Sequence, residues 1–61
     1  MPIVNIHLME GRSVEQKREL VDKVTKAVCE SINVAPEQVR IILSDMSKND
    51  FSIAGKLIAD K

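Results

Sequence analysis

One helical stripe set between two short apolar runs constrains this chain more than any other feature. Leu20, Val21, Val24, Ala27, Val28, Ser31 and Ile32 recur at helical spacing. Lys17, Arg18, Glu19, Asp22, Lys23, Lys26 and Glu30 fall mostly on the face turned to water. Ser13 and Gln16 have capping-box spacing, and Glu15 lies near the positive end of the helix dipole. The helix is predicted to run to about Ile32, where Asn33 suits a stop and Pro36 cannot continue it. Before it, residues 2–9 read as a strand, with Pro2, Val4, Ile6 and Leu8 on one face. After it, residues 39–45 read as another, with Val39, Ile41 and Leu43 opposite Arg40, Ile42 and Ser44. Strand, helix, strand in that order requires a parallel pair joined by a right-handed crossover. "FSIAGK" suggests a short strand or hairpin bending at Gly55, and the tail "LIADK" has no clear pattern. The expected fold is α+β: a β-α-β subunit with a two-stranded parallel sheet, one long helix and a short C-terminal hairpin. It is expected to form a single domain over residues 1–61.

Such a unit cannot cover itself. A 61-residue chain buries only about 60% of its unfolded surface, and each ordered residue costs roughly 1–2 kcal/mol of backbone entropy. Cys29 is the only cysteine, so no disulfide forms within the chain. One histidine and one cysteine make a poor metal-ligand set, and no metal is expected. The second face of the first strand carries Ile3, Asn5, His7 and Met9, half of it apolar. Both faces are therefore expected to be covered, and a homo-oligomer is the expected source of that cover.

The charges exclude several function classes. Nine basic and nine acidic residues leave a formal net charge of +0, with no basic footprint for nucleic acid. Phe51 is the only aromatic, so no base-stacking platform is expected. "PIVNIHL" is too short for a membrane span and is broken by Asn5 and His7. A lone cysteine and no export signal point to the cytoplasm.

Few residues carry chemistry. His7 has no acidic neighbour in sequence and reads as a surface or interface residue. Cys29, beside Val28, reads as a partly buried structural thiol. Gly11 and Gly55 are too few for a phosphate-cradling loop, and Ser13 is accounted for as a cap. Arg12 follows the first strand, and Arg40 sits between Val39 and Ile41. A desolvated guanidinium needs a partner. For Arg40 that partner is either Asp45 or Glu37 in a salt bridge, or a carboxylate ligand gripped by two parallel hydrogen bonds. Pro2 also has two readings. It is a tolerated first residue of an edge strand, or, with Met1 removed, it presents a free secondary amine. Apolar and cationic neighbours would hold that amine below the usual α-amino range, where it suits general base catalysis near neutral pH.

"PIVNIHLMEGRSVEQK", "VRIILSDM" and "FSIAGK", with the chain length and the intervening helix, resemble the 4-oxalocrotonate (2-hydroxymuconate) tautomerase family of the tautomerase superfamily. The resemblance covers nearly the whole chain. It implies removal of Met1, sheets paired between subunits, and a hexamer built as a trimer of dimers with sites at subunit boundaries. It also implies residue roles. Pro2 matches the terminal proline that acts as general base and then general acid. Arg40 matches the arginine that binds the carboxylate beside the enol oxygen. Arg12 matches the arginine that holds the distal carboxylate, and Phe51 the aromatic that keeps the pocket apolar. In that family the arginines around one proline come from different subunits. After Gly55 this chain has Lys56, where better-known members carry a second glycine or an acid.

The expected activity is cofactor-independent keto–enol isomerisation of small unsaturated 2-oxo acids, dicarboxylic ones such as 2-hydroxymuconate foremost. The alternatives are a monocarboxylate tautomerase of the phenylpyruvate type and a non-enzymatic oligomeric scaffold with the same fold.

Overall fold

The computed structural model describes residues 1–60; Lys61, the last residue of the unassigned tail, lies outside the described residues. Strand β1 (Ile3–Met9) leads into helix α1 (Val14–Ile32), and strand β2 (Arg40–Met46) follows. A hairpin of β3 (Ser52–Ile53) and β4 (Lys56–Leu57) closes the order, with 3-10 turns at Pro36–Gln38, Lys48–Asp50 and Ile58–Asp60. β1 and β2 pair in parallel, from Ile3 opposite Arg40 to Met9 opposite Met46. The expected β-α-β unit is present.

The helix begins where its caps require. The Gln16 amide donates to Ser13 Oγ at 3.1 Å, and the Ser13 amide donates to Gln16 Oε1 at 3.0 Å, so two otherwise unpaired donors are satisfied reciprocally. At the other end Asn33 adopts the left-handed conformation (φ 57°), and its amide donates to the Cys29 carbonyl at 3.0 Å. Gly11, at φ 110°, makes the turn between β1 and α1 that a side chain would oppose.

β2 begins one residue later than its apolar pattern suggests. The Val39 amide closes the Pro36–Gln38 turn on the Pro36 carbonyl at 3.1 Å, so it is not available to the sheet. The hairpin bend is also shared more widely than expected. Both Ala54 (φ 54°) and Gly55 (φ 84°) are left-handed, the pattern of a two-residue type I′ turn, whose twist matches that of paired strands.

Val4, Ile6, Leu8, Ile41 and Leu43 share the helix side of the sheet and are half-buried. The helix meets them with Leu20, Val21, Val24, Thr25, Val28 and Cys29 half-buried, while Ala27, Ser31 and Ile32 of the expected stripe are exposed. A sheet two strands wide is no broader than the helix resting on it, so the shoulder of the stripe overhangs. Lys17, expected on the water face, is half-buried instead.

The other side of the sheet is open. Ile3 and Ile42 are 56% and 52% exposed there, beside Asn5 and His7. The expectation that both faces are covered is thus not met within one protomer. Among the described residues no side chain is fully buried. The radius of gyration is 14.6 Å, against about 10.5 Å for a compact chain of this length. A lone protomer has no closed core.

Candidate active site

The four residues singled out in the sequence occupy two ends of the sheet. Pro2 is half-buried at the start of β1, on the helix side with Val4 and Ile6 by strand alternation. It has no N–H, but its carbonyl accepts the Arg40 amide at 3.0 Å. This bond continues the ladder past Ile3 and ties the N-terminal end to the first residue of β2. Pro2 follows Met1 here, so its nitrogen lies in a peptide bond.

Arg40 is exposed, not desolvated, because it opens β2 instead of lying in its middle. Neither expected salt bridge forms. Asp45 lies on the helix side and pairs with Lys17, while Glu37 offers Arg40 its backbone carbonyl, which accepts from Nη1. Arg40 stands level with Ile3 and so belongs to the open face. The Pro2 ring and the Arg40 side chain therefore leave the same end of the sheet on opposite sides.

Arg12 lies at the far end. Seven residues of β1 intervene, about 20 Å at the usual rise of a strand. It lines a shallow cavity of about 270 Å³ with Leu8, Gln16, Lys17 and Leu20. Phe51 also lies beyond the C-terminal ends of the strands, past Met46 and the Lys48–Asp50 turn, and its carbonyl accepts the Ile58 amide at 2.9 Å. One protomer thus brings Pro2 and Arg40 to one end and leaves Arg12 and Phe51 toward the other.

The arginines differ in their pairing. Arg18 is matched by Glu15 one turn away on the helix. Arg12 and Arg40 have no carboxylate partner among the described residues. Guanidinium groups left without an internal anion are suited to carboxylate ligands. No group of three or more His, Cys, Asp or Glu side chains among the described residues is placed to hold a metal ion. No helix among them is long and apolar enough to cross a membrane.

The family model described as "Tautomerase enzyme" matches residues 2–61. The chain belongs to this family. Like its family, this tautomerase is an isomerase. It is 49% identical over 61 residues to a probable tautomerase of Halalkalibacterium halodurans, covering all of both chains. It is 42% identical over 60 residues to the 2-hydroxymuconate tautomerase of Bacillus subtilis, covering 98% of this chain and 97% of that one. Among solved structures it resembles a 4-oxalocrotonate tautomerase isozyme from Methylibium petroleiphilum, with a TM-score of 0.93 and 44% identity over 97% of this chain and 92% of that one.

Sequence reasoning missed Lys17 and Asp45 as a pair. The signal was present: Asp45 continues the Ile41, Leu43 face, and Lys17 lies three residues before Leu20 on the stripe. An acid at the end of an apolar strand face calls for a cation from whatever covers that face.

Proposed function

We propose that this tautomerase interconverts enol and keto forms of small unsaturated 2-oxo dicarboxylic acids, 2-hydroxymuconate among them, with Pro2 as the proton carrier after Met1 is removed. The relation to a 2-hydroxymuconate tautomerase along nearly the full length of both chains carries the reading. The two arginines without carboxylate partners among the described residues support it, since a dicarboxylate presents two anionic ends.

In this reading residues 1–61 work as a single domain within a homo-oligomer. Two sheets joined edge to edge across a two-fold axis run their neighbouring strands antiparallel. The Pro2 end of one copy then lies beside the Arg12 and Phe51 end of its partner. Sheet faces meeting between dimers would supply Arg40 and cover Ile3 and Ile42, giving a hexamer arranged as a trimer of dimers.

The reaction moves one proton. The Pro2 nitrogen accepts it from the 2-hydroxyl group of the dienol, and the oxygen lone pair shifts into the conjugated chain. Arg40 donates to that oxygen and the adjacent carboxylate, where negative charge grows. Protonated Pro2 then delivers the proton to a carbon farther along the chain. Arg12 holds the distal carboxylate so that this carbon lies near the amine. Phe51 limits water around the amine and keeps it in its neutral form. No atom is gained or lost, and no cofactor enters the scheme.

The test is ketonisation of 2-hydroxymuconate, followed by loss of the dienol absorbance, with protein whose first residue is confirmed as proline by mass spectrometry. Acceleration over the buffer rate is expected. Processed protein that leaves the buffer rate unchanged defeats the proposal. Faster turnover of enol phenylpyruvate than of the dicarboxylate would move the substrate class to monocarboxylic acids.

A further inference from the structure

The ion pair of Lys17 Nζ with Asp45 Oδ2, at 2.7 Å, is the one bridge among the described residues that joins helix to sheet. The other pairs lie within the helix, at Glu15–Arg18, Glu19–Lys23 and Asp22–Lys26. It is also better shielded than they are, with the Lys17 side chain 28% exposed and that of Asp45 46%.

Its position bears on Arg12. The segment from Glu10 to Lys17 is held at points on either side of that residue. Upstream, the Glu10 amide donates to the Met46 carbonyl at 2.9 Å and fixes the exit of β1 against the residue next to Asp45. Downstream, Ser13 is locked to Gln16, and the Lys17 amide donates to the Ser13 carbonyl at 3.1 Å. Only Gly11 and Arg12 lie between these anchors, and Gly11 supplies no steric restraint. The downstream anchor is rigid within the helix, and among the described residues the ion pair is the one polar side-chain tie from that helical turn to the sheet. Lys17 and Arg12 line the same cavity. Because Asp45 already engages Lys17, Arg12 is the cation of that cavity with no anionic partner among the described residues.

We propose that the Lys17–Asp45 pair is a positioning and specificity element: it sets the first turn of α1 against β2, holds Arg12 in place for a distal carboxylate, and keeps Lys17 from acting as a competing anion site. This rests on the reading of Arg12 given above.

The experiment compares Lys17→Met, Asp45→Asn, the double variant of these two, Lys17→Arg and Arg12→Ala on a dicarboxylic and a monocarboxylic enol. Lys17→Met and Asp45→Asn should each raise KM for the dicarboxylate about three- to five-fold, as loss of a partly exposed pair allows. The double variant should do no worse than either single one. Lys17→Arg, which still reaches Asp45, should stay within about two-fold of the parent, and kcat/KM for the monocarboxylate should hold in the Lys17 and Asp45 variants. Equal losses on both substrates would show a merely structural pair and overturn the proposal. A lower dicarboxylate KM in Asp45→Asn would show that the pair hinders carboxylate binding at this end instead of supporting it, and would overturn the proposal too. If Arg12→Ala discriminates between the substrates and Lys17→Met does not, only the positioning role fails. If Arg12→Ala itself does not discriminate, the reading of Arg12 fails and the proposal falls with it.

Discussion

The Arg40 amide donates to the Pro2 carbonyl at 3.0 Å, yet the two side chains leave the sheet on opposite faces. Backbone adjacency and chemical adjacency are thus separate matters here. The bond fixes where the N-terminal end lies. It does not aim the Arg40 guanidinium at the Pro2 nitrogen of the same chain.

Arg40→Ala is expected to lower kcat about 10²-fold, the usual cost of removing a donor aimed at developing negative charge. Among the described residues the side chain's one hydrogen bond is to the Glu37 carbonyl, so the far-UV circular dichroism should not change. Near-normal turnover would remove Arg40 from the chemistry.

Protein with Met1 retained, or with the Pro2 nitrogen acetylated after processing, should lose the tautomerase reaction, because an amide nitrogen is not basic. The processed protein should show an acid-side limb in kcat/KM, from protonation of the Pro2 base, below the usual α-amino range, set by apolar and cationic surroundings that disfavour the charged form. Phe51→Ala admits water and should move that limb upward. A limb at about pH 8 in the parent, the ordinary α-amino value, contradicts the burial argument.

The elongated protomer, 43 × 24 × 13 Å, has exposed Ile3 and Ile42 on its open sheet face and no closed core. Assembly should supply much of its stability, so the thermal midpoint should rise with protein concentration. Sedimentation at micromolar concentration should give a mass several times the 6.8 kDa of one chain. A monomer with a concentration-independent midpoint would refute the assembly.

Ala54→Asn should stabilise the protein by about 0.5–1 kcal/mol, measured from urea unfolding. Ala54 sits at φ 54°, a left-handed conformation that its Cβ disfavours, and Asn-Gly is the preferred pair for a type I′ turn. The opposite change at the helix start, Ser13→Ala, removes the acceptor for the Gln16 amide and should cost about 1 kcal/mol.

The elements were legible in the sequence because their signals are local. Ser13 and Gln16 are three residues apart, and Asn33 follows the last helical turn; each acts on backbone groups within reach of its own side chain. The strand–helix–strand order gives a parallel pair, and position in the pattern marks Pro2 and Arg40, whereas Arg12 and Phe51 are picked out only by the family resemblance. The tertiary structure settled what depends on distant groups. It matched Asp45 with Lys17 instead of Arg40, since strand alternation puts Asp45 on the side the helix covers. It also turned the Arg40 side chain to the face opposite Pro2, because Arg40 stands in register with Ile3 on the neighbouring strand.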